Sequence, residues 1–206
     1  MSVHVRNLGL KDYLSVWHDM QTFTLDRDEN TDDEIWLVQH PPVYTLGLNG
    51  KREHIIKEND IPVIPVDRGG QITYHGPGQI VAYVLCDIQR QKLSVHEFVN
   101  AIEQSIIDLL ASLSITAKRQ KGAPGVYVDN KKIAALGLRI KKGRSYHGLS
   151  LNVDMDLQPF KDINPCGYPD LEVIQLLDLG VNEDLASLNT RLVEYIKSNL
   201  GYNATS

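Results

Sequence analysis

The sequence predicts an α+β fold, in which helices cover a mixed sheet. Segments rich in β-branched residues dominate the middle of the chain, helical periodicities lie near both ends and once in between, and no linker divides the chain. The chain has 206 residues, of which 42 % are hydrophobic and 23 % are charged, as in an ordinary globular protein. We therefore expect one domain that spans residues 1–206.

The amino-terminal part predicts one helix among short strands. VHVRNL alternates and predicts a strand. An amphipathic helix should follow and end before the polar segment TLDRDENTDDE, its apolar positions being Leu10, Leu14, Trp17 and Met20. Three further strands are predicted from EIWLVQH, VYTLG and VIPV. The strand EIWLVQH should end at the Pro-Pro pair that follows it in sequence.

A central strand and a long helix are predicted next. IVAYVLCDI, residues 80–88, is almost entirely apolar and predicts a buried central strand. Ser94 and Glu97 have the spacing of a capping box, which indicates a helix start. Apolar residues then recur at helical spacing up to Leu113, so we expect a helix over this stretch.

The carboxyl-terminal part predicts a hairpin and a last helix. GVYVDNKKIAALGLRI contains two strand-like segments joined at Asp129-Asn130, a favourable turn pair. The last helix should cover about Glu183 to Leu200, with Gly201 at the position after its end.

Charge, hydropathy and cysteine content limit the class of protein. The net charge of −5 gives no overall footprint for nucleic acid, and the apolar runs are too short to span a membrane. MSVHVRNLGLKDYL lacks the features of a signal peptide. Cys86 and Cys166 cannot form a disulfide framework and lack metal-ligand spacing. We expect a cytoplasmic protein that binds no metal, no nucleic acid and no membrane.

The glycine-rich segment RGGQITYHGPGQ could be a phosphate loop, a tight turn or the wall of another kind of pocket. It lacks the Walker lysine and the dinucleotide fingerprint, and it precedes a strand instead of opening a helix. Its polar residues exceed what a turn requires, and the flanking glycines allow a ligand to approach the backbone closely. These polar residues are Arg68, Thr73, Tyr74 and His75.

Cys166 is a candidate nucleophile. A lone cysteine is more often a small buried hydrophobe. Cys166 nevertheless lies between Pro165 and Gly167 in a turn, where reactive groups concentrate. Cys86, within VAYVLCDI, is expected to belong to the core.

A nucleophilic cysteine needs a group that favours the thiolate. His75 and His147 are candidates, each within a Tyr-His-Gly tripeptide. Lysine can also serve, as a cation or as a base. Because strand side chains alternate between faces, either Lys131 or Lys132 should point inward, although both could be solvated hairpin lysines.

The segment RIKKGR, residues 139–144, concentrates positive charge on an acidic protein, with Lys118, Arg119 and Lys121 nearby in sequence. Such a segment is either a solvated hairpin end or a docking surface for an acidic partner.

Several of these segments together resemble one family. HPPVYTLG, RGGQITYHGPGQ, KIAALGLRI, HGLSLNVDMDL and INPCG occur in this order between about Glu34 and Gln175. In order and spacing they are similar to the lipoyl(octanoyl) transferases, which are octanoyl–acyl carrier protein:protein N-octanoyltransferases. Gln39 is a departure, since family members commonly carry an acidic residue before His-Pro.

The resemblance implies a cytoplasmic acyltransferase of lipoate biosynthesis, with the α/β fold of the lipoate- and biotin-protein ligases. Such an enzyme moves an octanoyl group from acyl carrier protein to a lysine of lipoyl domains, in 2-oxoacid dehydrogenases and in the glycine-cleavage H protein. It forms an octanoyl thioester on a cysteine and needs no ATP and no cofactor. The basic segment would then meet an acidic carrier protein.

The resemblance also implies site residues. Cys166 matches the acyl-thioester cysteine and Lys132 the catalytic lysine, whose charge favours the thiolate. The implied substrate-binding residues are Arg68, Gly69, Gly70, Gln71, Ile72, Thr73, Tyr74, His75, Ala135, Leu136, Gly137, Gly148, Leu149 and Ser150. The apolar side chains near Ile72, Ala135 and Leu149 suit an acyl chain.

Two other functions fit parts of the same pattern. An ATP-dependent lipoate- or biotin-protein ligase would use the lysine but would not require the cysteine, so a Cys166→Ala variant distinguishes the two enzymes. A non-catalytic acyl-binding protein would keep the pocket, and turnover with octanoyl-carrier and an apo lipoyl domain would exclude it.

Overall fold

Within residues 2–169 and 171–202, and apart from the side chain of Cys166, the computed structural model contains ten strands and three α-helices. In chain order they are β1 (Val3–Leu10), α1 (Tyr13–Asp26), β2 (Asp33–Gln39), β3 (Val43–Leu46), β4 (Val63–Pro65), β5 (Ile72–His75), β6 (Gln79–Leu85), α2 (Val95–Ser112), β7 (Lys118–Gln120), β8 (Ala123–Val128), β9 (Lys131–Lys141), β10 (Arg144–Asn152) and α3 (Leu185–Asn199). Single turns of 3-10 helix lie at Arg52–His54, Gln158–Asp162, Pro165–Gly167 and Leu177–Leu179.

The strands form two sheets. The larger sheet has the order β1-β2-β6-β10-β9-β8-β7 and is antiparallel except for the parallel pair β1 and β2. The smaller sheet has the order β4-β3-β5. The strand predicted from IVAYVLCDI is β6, which is buried along its whole length between β2 and β10. The predicted α+β fold with a mixed sheet is therefore confirmed.

Helices cover both faces of the larger sheet. The main core contains Phe98, Ile102 and Ile106 of α2 and Leu188 and Leu192 of α3, packed against one face. A second core places α1 against the opposite face. The smaller sheet has its own core with the Gln158–Asp162 turn. No helix among the described residues is both long enough and apolar enough to cross a membrane.

The predicted capping box and hairpin are present. The Ser94 hydroxyl accepts the N–H of Glu97 at 3.2 Å, and the Glu97 carboxylate accepts the N–H of Ser94 at 2.8 Å. Asp129 and Asn130 have φ of 48° and 65°, the left-handed conformation that a two-residue hairpin turn requires. Gly201 follows the last helix with φ of 75°, as predicted for this position.

The prediction for α1 was wrong at two of its four apolar positions and in its end. Met20 is buried and Trp17 packs against the core, as predicted, but Leu10 belongs to β1 and Leu14 is 40 % exposed. Tyr13 and Val16 are buried in their place. The helix also continues through the polar residues to Asp26. The next residue explains this, because the buried guanidinium of Arg27 binds the Asp33 carboxylate at 2.5 Å and fixes the helix end to β2.

Candidate active site

The glycine-rich loop before β5 connects the two sheets. The Arg68 guanidinium is buried, and Nη2 donates to the carbonyl oxygen of Thr45 in β3 at 2.6 Å. On the other side, the N–H of Gly69 donates to the carbonyl of Leu138 in β9 at 2.9 Å. A side chain at Gly137 would come within 2.9 Å of Arg68 Cδ, so glycine there permits this close approach. The Arg68 guanidinium therefore fixes the loop to β3, and the N–H of Gly69 fixes it to β9.

A narrow cavity of about 40 Å³ lies between this loop, β9 and β10. Its lining includes Ile72, Ala135 and Leu149, the residues expected to accept an acyl chain. The other predicted binding residues in this lining are Arg68, Gly70, Gln71, Thr73, His75, Leu136, Gly137, Gly148 and Ser150. Residues distant in sequence thus meet around one slot, which we call the acyl slot.

Two predicted binding residues lie elsewhere. Gly69 lines a neighbouring cavity instead of the acyl slot. Tyr74 is buried in the core of the smaller sheet, with its ring centroid 5.6 Å from that of Tyr44 and 5.5 Å from that of Phe160. Strand alternation places Tyr74 on the opposite face of β5 from Thr73 and His75, which line the slot. Ile72 shares the face of Tyr74 and the same core, and it also lines the slot. A role for Tyr74 in binding stays a prediction.

His75 and His147, the two histidines that could favour the thiolate of Cys166, are buried. Burial lowers the pKa of His75 to about 3, and its Nδ1–H donates to the Gln79 side-chain oxygen at 2.7 Å. Burial likewise lowers the pKa of His147, although a hydrogen bond to Asp67 opposes the shift. Both rings are therefore neutral near pH 7, and neither supplies a positive charge that would favour a thiolate.

Asp67 organises one side of the slot. Burial alone would raise the pKa of this carboxyl, but hydrogen bonds from His147, Tyr146 and Trp17 outweigh it and hold the pKa well below its usual range. The carboxylate fixes the proton of His147 on Nε2, at 3.0 Å from Oδ1. The Nδ1 of His147 has no hydrogen-bond partner within the described part of the chain. It is consequently a buried acceptor in the ring that lines the slot.

Lys132 is the inward-pointing lysine of the pair. Its side chain is buried, whereas the half-exposed Lys131 pairs with Glu172 at 2.6 Å. The Nζ of Lys132 donates to the carbonyl oxygen of Pro124 at 2.9 Å and lies 5.2 Å from the ring centroid of Tyr127. Strand β9 therefore places the Lys132 amine in the interior, where these two contacts fix its position.

Gly125 of β8 and Glu103 of α2 help to fix the position of the Lys132 amine. A side chain at Gly125, where φ is 136°, would come within 2.9 Å of Lys132 Cε, so only glycine leaves room for the lysine. The N–H of Gly125 donates to Glu103 Oε1 of α2 at 2.8 Å, and Arg119 pairs with the same carboxylate at 2.9 Å. The buried Glu103 carboxylate, which also pairs with the exposed Arg119, thus anchors the strand segment that orients Lys132.

Cys166 lies in the Pro165–Gly167 turn, and its side chain falls outside the described residues. Its neighbour Pro165 and Lys132 line one small cavity together with Thr73, Ala135 and Ser150 of the acyl slot. Gly167, with φ of 77°, faces the Gln71 side chain. The backbone of this turn therefore lies at the junction of Lys132 and the slot, and the pairing of the thiol with Lys132 stays a prediction.

Two larger cavities adjoin this junction. One, of about 340 Å³, follows β9 from Lys132 past Leu136 and Leu138 to Ile140, and Val95 and Val99 of α2 also line it. We call it the β9 groove. The other, of about 560 Å³, lies on the Pro165 side and includes Phe160 and Val173. No group of three or more His, Cys, Asp or Glu in the described part of the chain is arranged to hold a metal ion.

Sequence reasoning missed several residues of this site. Tyr13 and Tyr83 line the acyl slot but belong to α1 and β6, which were predicted only as core elements. Residues of other elements fix the position of Lys132, namely Pro124 and Gly125 of β8 and Glu103 of α2. The only sign of this support in the local sequence was the glycine before a strand. The unusual Gln39 has a structural role, since its side-chain oxygen accepts the N–H of Gly78 at 2.8 Å.

The chain is similar in sequence to known proteins. Residues 12–197 match the family of the lipoyl protein ligase A/B catalytic domain. The chain is 56 % identical over 201 residues to an octanoyltransferase of Shewanella frigidimarina, covering 98 % of this chain and 93 % of the relative.

Solved structures with low sequence identity share the fold. The crystal structure of lipoate-protein ligase A bound with ATP has a TM-score of 0.82 at 14 % identity, covering 98 % of this chain and 86 % of the ligase. A biotin protein ligase from Aquifex aeolicus has a TM-score of 0.60 at 11 % identity, covering 96 % and 70 % of the two chains. The chain therefore belongs to the lipoyl protein ligase A/B catalytic-domain family, and within it to the octanoyltransferases.

Proposed function

We propose that this protein transfers an octanoyl group from octanoyl-acyl carrier protein to a lysine of a lipoyl domain, through a thioester on Cys166. The supporting observation is the buried amine of Lys132, fixed beside a narrow, largely apolar slot and next to the Cys166 turn. The acceptors are lipoyl domains of 2-oxoacid dehydrogenases and the glycine-cleavage H protein. Residues 1–206 act as one catalytic acyltransferase domain in the cytoplasm, without a cofactor.

In the first half-reaction, the Cys166 thiolate attacks the carbonyl carbon of the octanoyl thioester, and the Lys132 ammonium favours the thiolate form. A new carbon–sulfur bond forms, and the bond to the carrier's sulfur breaks. The departing carrier thiolate takes a proton from Lys132. The octanoyl chain enters the acyl slot along Ile72, Ala135 and Leu149, and the lining side chains move apart to admit it, because about 40 Å³ is less than an eight-carbon chain occupies.

In the second half-reaction, the neutral amine of the acceptor lysine attacks the acyl-enzyme. The amine of Lys132, now neutral, accepts a proton from the attacking nitrogen as the amide bond forms. The bond to Cys166 breaks, and the thiolate is restored beside the Lys132 ammonium. The donor is already a thioester, so the acyl group arrives activated and no ATP is consumed.

Intact mass spectrometry tests this mechanism. After incubation with octanoyl-acyl carrier protein alone, the protein should carry one octanoyl group that hydroxylamine removes. The group should be absent from Cys166→Ala and present on Cys86→Ala, because Cys86 is fully buried and burial raises the pKa of its thiol beyond the range in which thiolate forms. An adduct on Cys166→Ala, or turnover in wild-type protein without any adduct, would contradict the proposal.

The basic segment at the end of β9 should contribute to carrier recognition. Lys141 and Lys142 are exposed, and acyl carrier proteins are typically acidic. Replacing both with glutamate should raise KM for the carrier substrate by roughly 3–10-fold. The reason is that charges at the edge of a binding site change the rate of association more than the rate of the chemical step. The measurement is steady-state kinetics at low salt. Lys11→Glu with Lys57→Glu gives the same change in net charge at other exposed positions, and an equal effect there would exclude a local role.

A further inference from the structure

The β9 groove has no role in the mechanism described so far. The acyl slot holds the octanoyl chain, yet the groove also reaches Lys132 and contains Pro124, whose carbonyl binds the lysine amine. The two cavities share Gly70, Gln71, Leu136 and Gly137 in their lining. A molecule in the groove would therefore have one end at the reacting centre.

The length of the groove distinguishes the substrates that could enter it. From Lys132 to Ile140 the strand covers eight residue steps, or about 26 Å at the usual rise of a β-strand. The acceptor is a lysine with a stem of only four methylene carbons, which needs no channel of this length. The acyl donor, in contrast, presents its thioester at the end of a long unbranched pantetheine arm.

The chemistry of the walls also fits such an arm. Val95, Val99, Leu138 and Ile140 provide apolar surface, and Val95 is 50 % exposed although it is apolar. Asn49, Gln71 and the backbone of Gly70 provide polar groups for the amides of the arm. This composition, apolar with a few polar groups, is typical of small-molecule sites, and the volume lies within their usual range.

Charge at the outer end favours the donor over the acceptor. The exposed Lys141 and Lys142 follow Ile140 in sequence, and the exposed Lys121 precedes Gly122 of the groove lining. A pantetheine arm is joined to its carrier by a phosphodiester, and the carrier surface around it is acidic. Positive charge at the mouth complements both.

We propose that the β9 groove binds the phosphopantetheine arm of the donor, with the thioester at Lys132 and the phosphate near the lysines beyond Ile140. This inference rests on the proposed cysteine mechanism and names the substrate segment that the groove recognises. Val95 and Ile140 lie in the outer half of the groove, away from the lysine, so changing them narrows the path of the arm without touching the reacting groups.

The test measures each half-reaction separately in Val95→Trp and Ile140→Trp. Acyl-enzyme formation from octanoyl-acyl carrier protein should slow at least about tenfold. Formation from octanoyl-N-acetylcysteamine, which lacks most of the arm, should change less than about threefold. Transfer from the isolated acyl-enzyme to an apo lipoyl domain should stay at the wild-type rate. Leu25→Trp is the control, because Leu25 is 58 % exposed at the end of α1 and lines none of the four cavities.

Other results would overturn the inference. Equal slowing with both donors would indicate a general distortion, and slowing only of the transfer to the lipoyl domain would assign the groove to the acceptor. Wild-type rates with the carrier donor in both tryptophan variants would exclude the groove as the path of the arm. If the wild-type protein forms no adduct with either donor, the cysteine mechanism itself fails, and the inference fails with it.

Discussion

Cys166→Ala, Lys132→Met and the double variant are all expected to lower octanoyl transfer by about the same factor, 10³-fold or more. The reason is that, in the proposed mechanism, the thiol and the amine act as one unit. Without the cysteine there is no acyl-enzyme for Lys132 to serve, and without the lysine the thiol lacks its cation and the acceptor amine lacks its base. Steady-state kinetics on the three variants give the comparison.

Lys131→Met is the matched control for this experiment. Lys131 is the next residue along β9, but its ammonium is exposed and pairs with Glu172, so its loss should leave turnover unchanged. Methionine is suited to position 132 because it fills a similar length in a buried site. If the two single effects multiplied in the double variant, the residues would act independently. Full ATP-dependent activity in Cys166→Ala would instead indicate a ligase.

The protein should lose about 4 kcal/mol of unfolding free energy between pH 7 and pH 5 through two buried histidines, at about 2 kcal/mol each. Burial lowers the pKa of His75 to about 3 and that of His40 to about 4 in the folded state, from an ordinary value of 6.5. Below pH 6.5 the unfolded chain binds protons that the folded protein does not. Stability therefore falls as the pH drops from 6.5 towards 4.

Urea unfolding at pH 7 and pH 5 measures this loss. His75→Asn keeps a side-chain donor towards Gln79 but removes the titrating group, so the loss should shrink by about 2 kcal/mol. His96→Gln is the control, because His96 is exposed on α2 and should leave the pH dependence unchanged. Equal losses in wild-type protein and in His75→Asn would mean that other groups cause the acid sensitivity.

Local patterns predicted the elements that local interactions determine. The start of α2 follows from a capping box made by residues three apart, and the hairpin between β8 and β9 follows from two residues that tolerate positive φ. Strand β10 was not predicted, because its polar and glycine residues are buried by neighbours distant in sequence. Part of the buried face of α1 was misassigned for a similar reason, since Tyr13 lies against His40 and His75.

The candidate site was likewise predicted where local patterns determine it and missed where long-range contacts do. Strand alternation predicted that one lysine of the β9 pair turns inward, and the family resemblance named twelve of the residues that line the acyl slot but not Tyr13 or Tyr83. The support of Lys132 comes from long-range contacts, in which Glu103 of α2 holds Gly125 of β8. Nothing near Glu103 in the sequence indicates that its carboxylate will be buried against a distant strand.

The position of Glu103 on its helix links two properties of the enzyme. Val95, Val99 and Glu103 are spaced by four residues, so they form one stripe along α2. The first two line the β9 groove, and the third anchors the strand segment that orients Lys132. A change at the buried Glu103 would therefore act on the proposed catalytic lysine, whereas the half-exposed Val95 can change without disturbing this anchor. Engineering of donor preference has a better starting point in Leu138 and Ile140, which line the groove from β9, where changes leave the anchor intact.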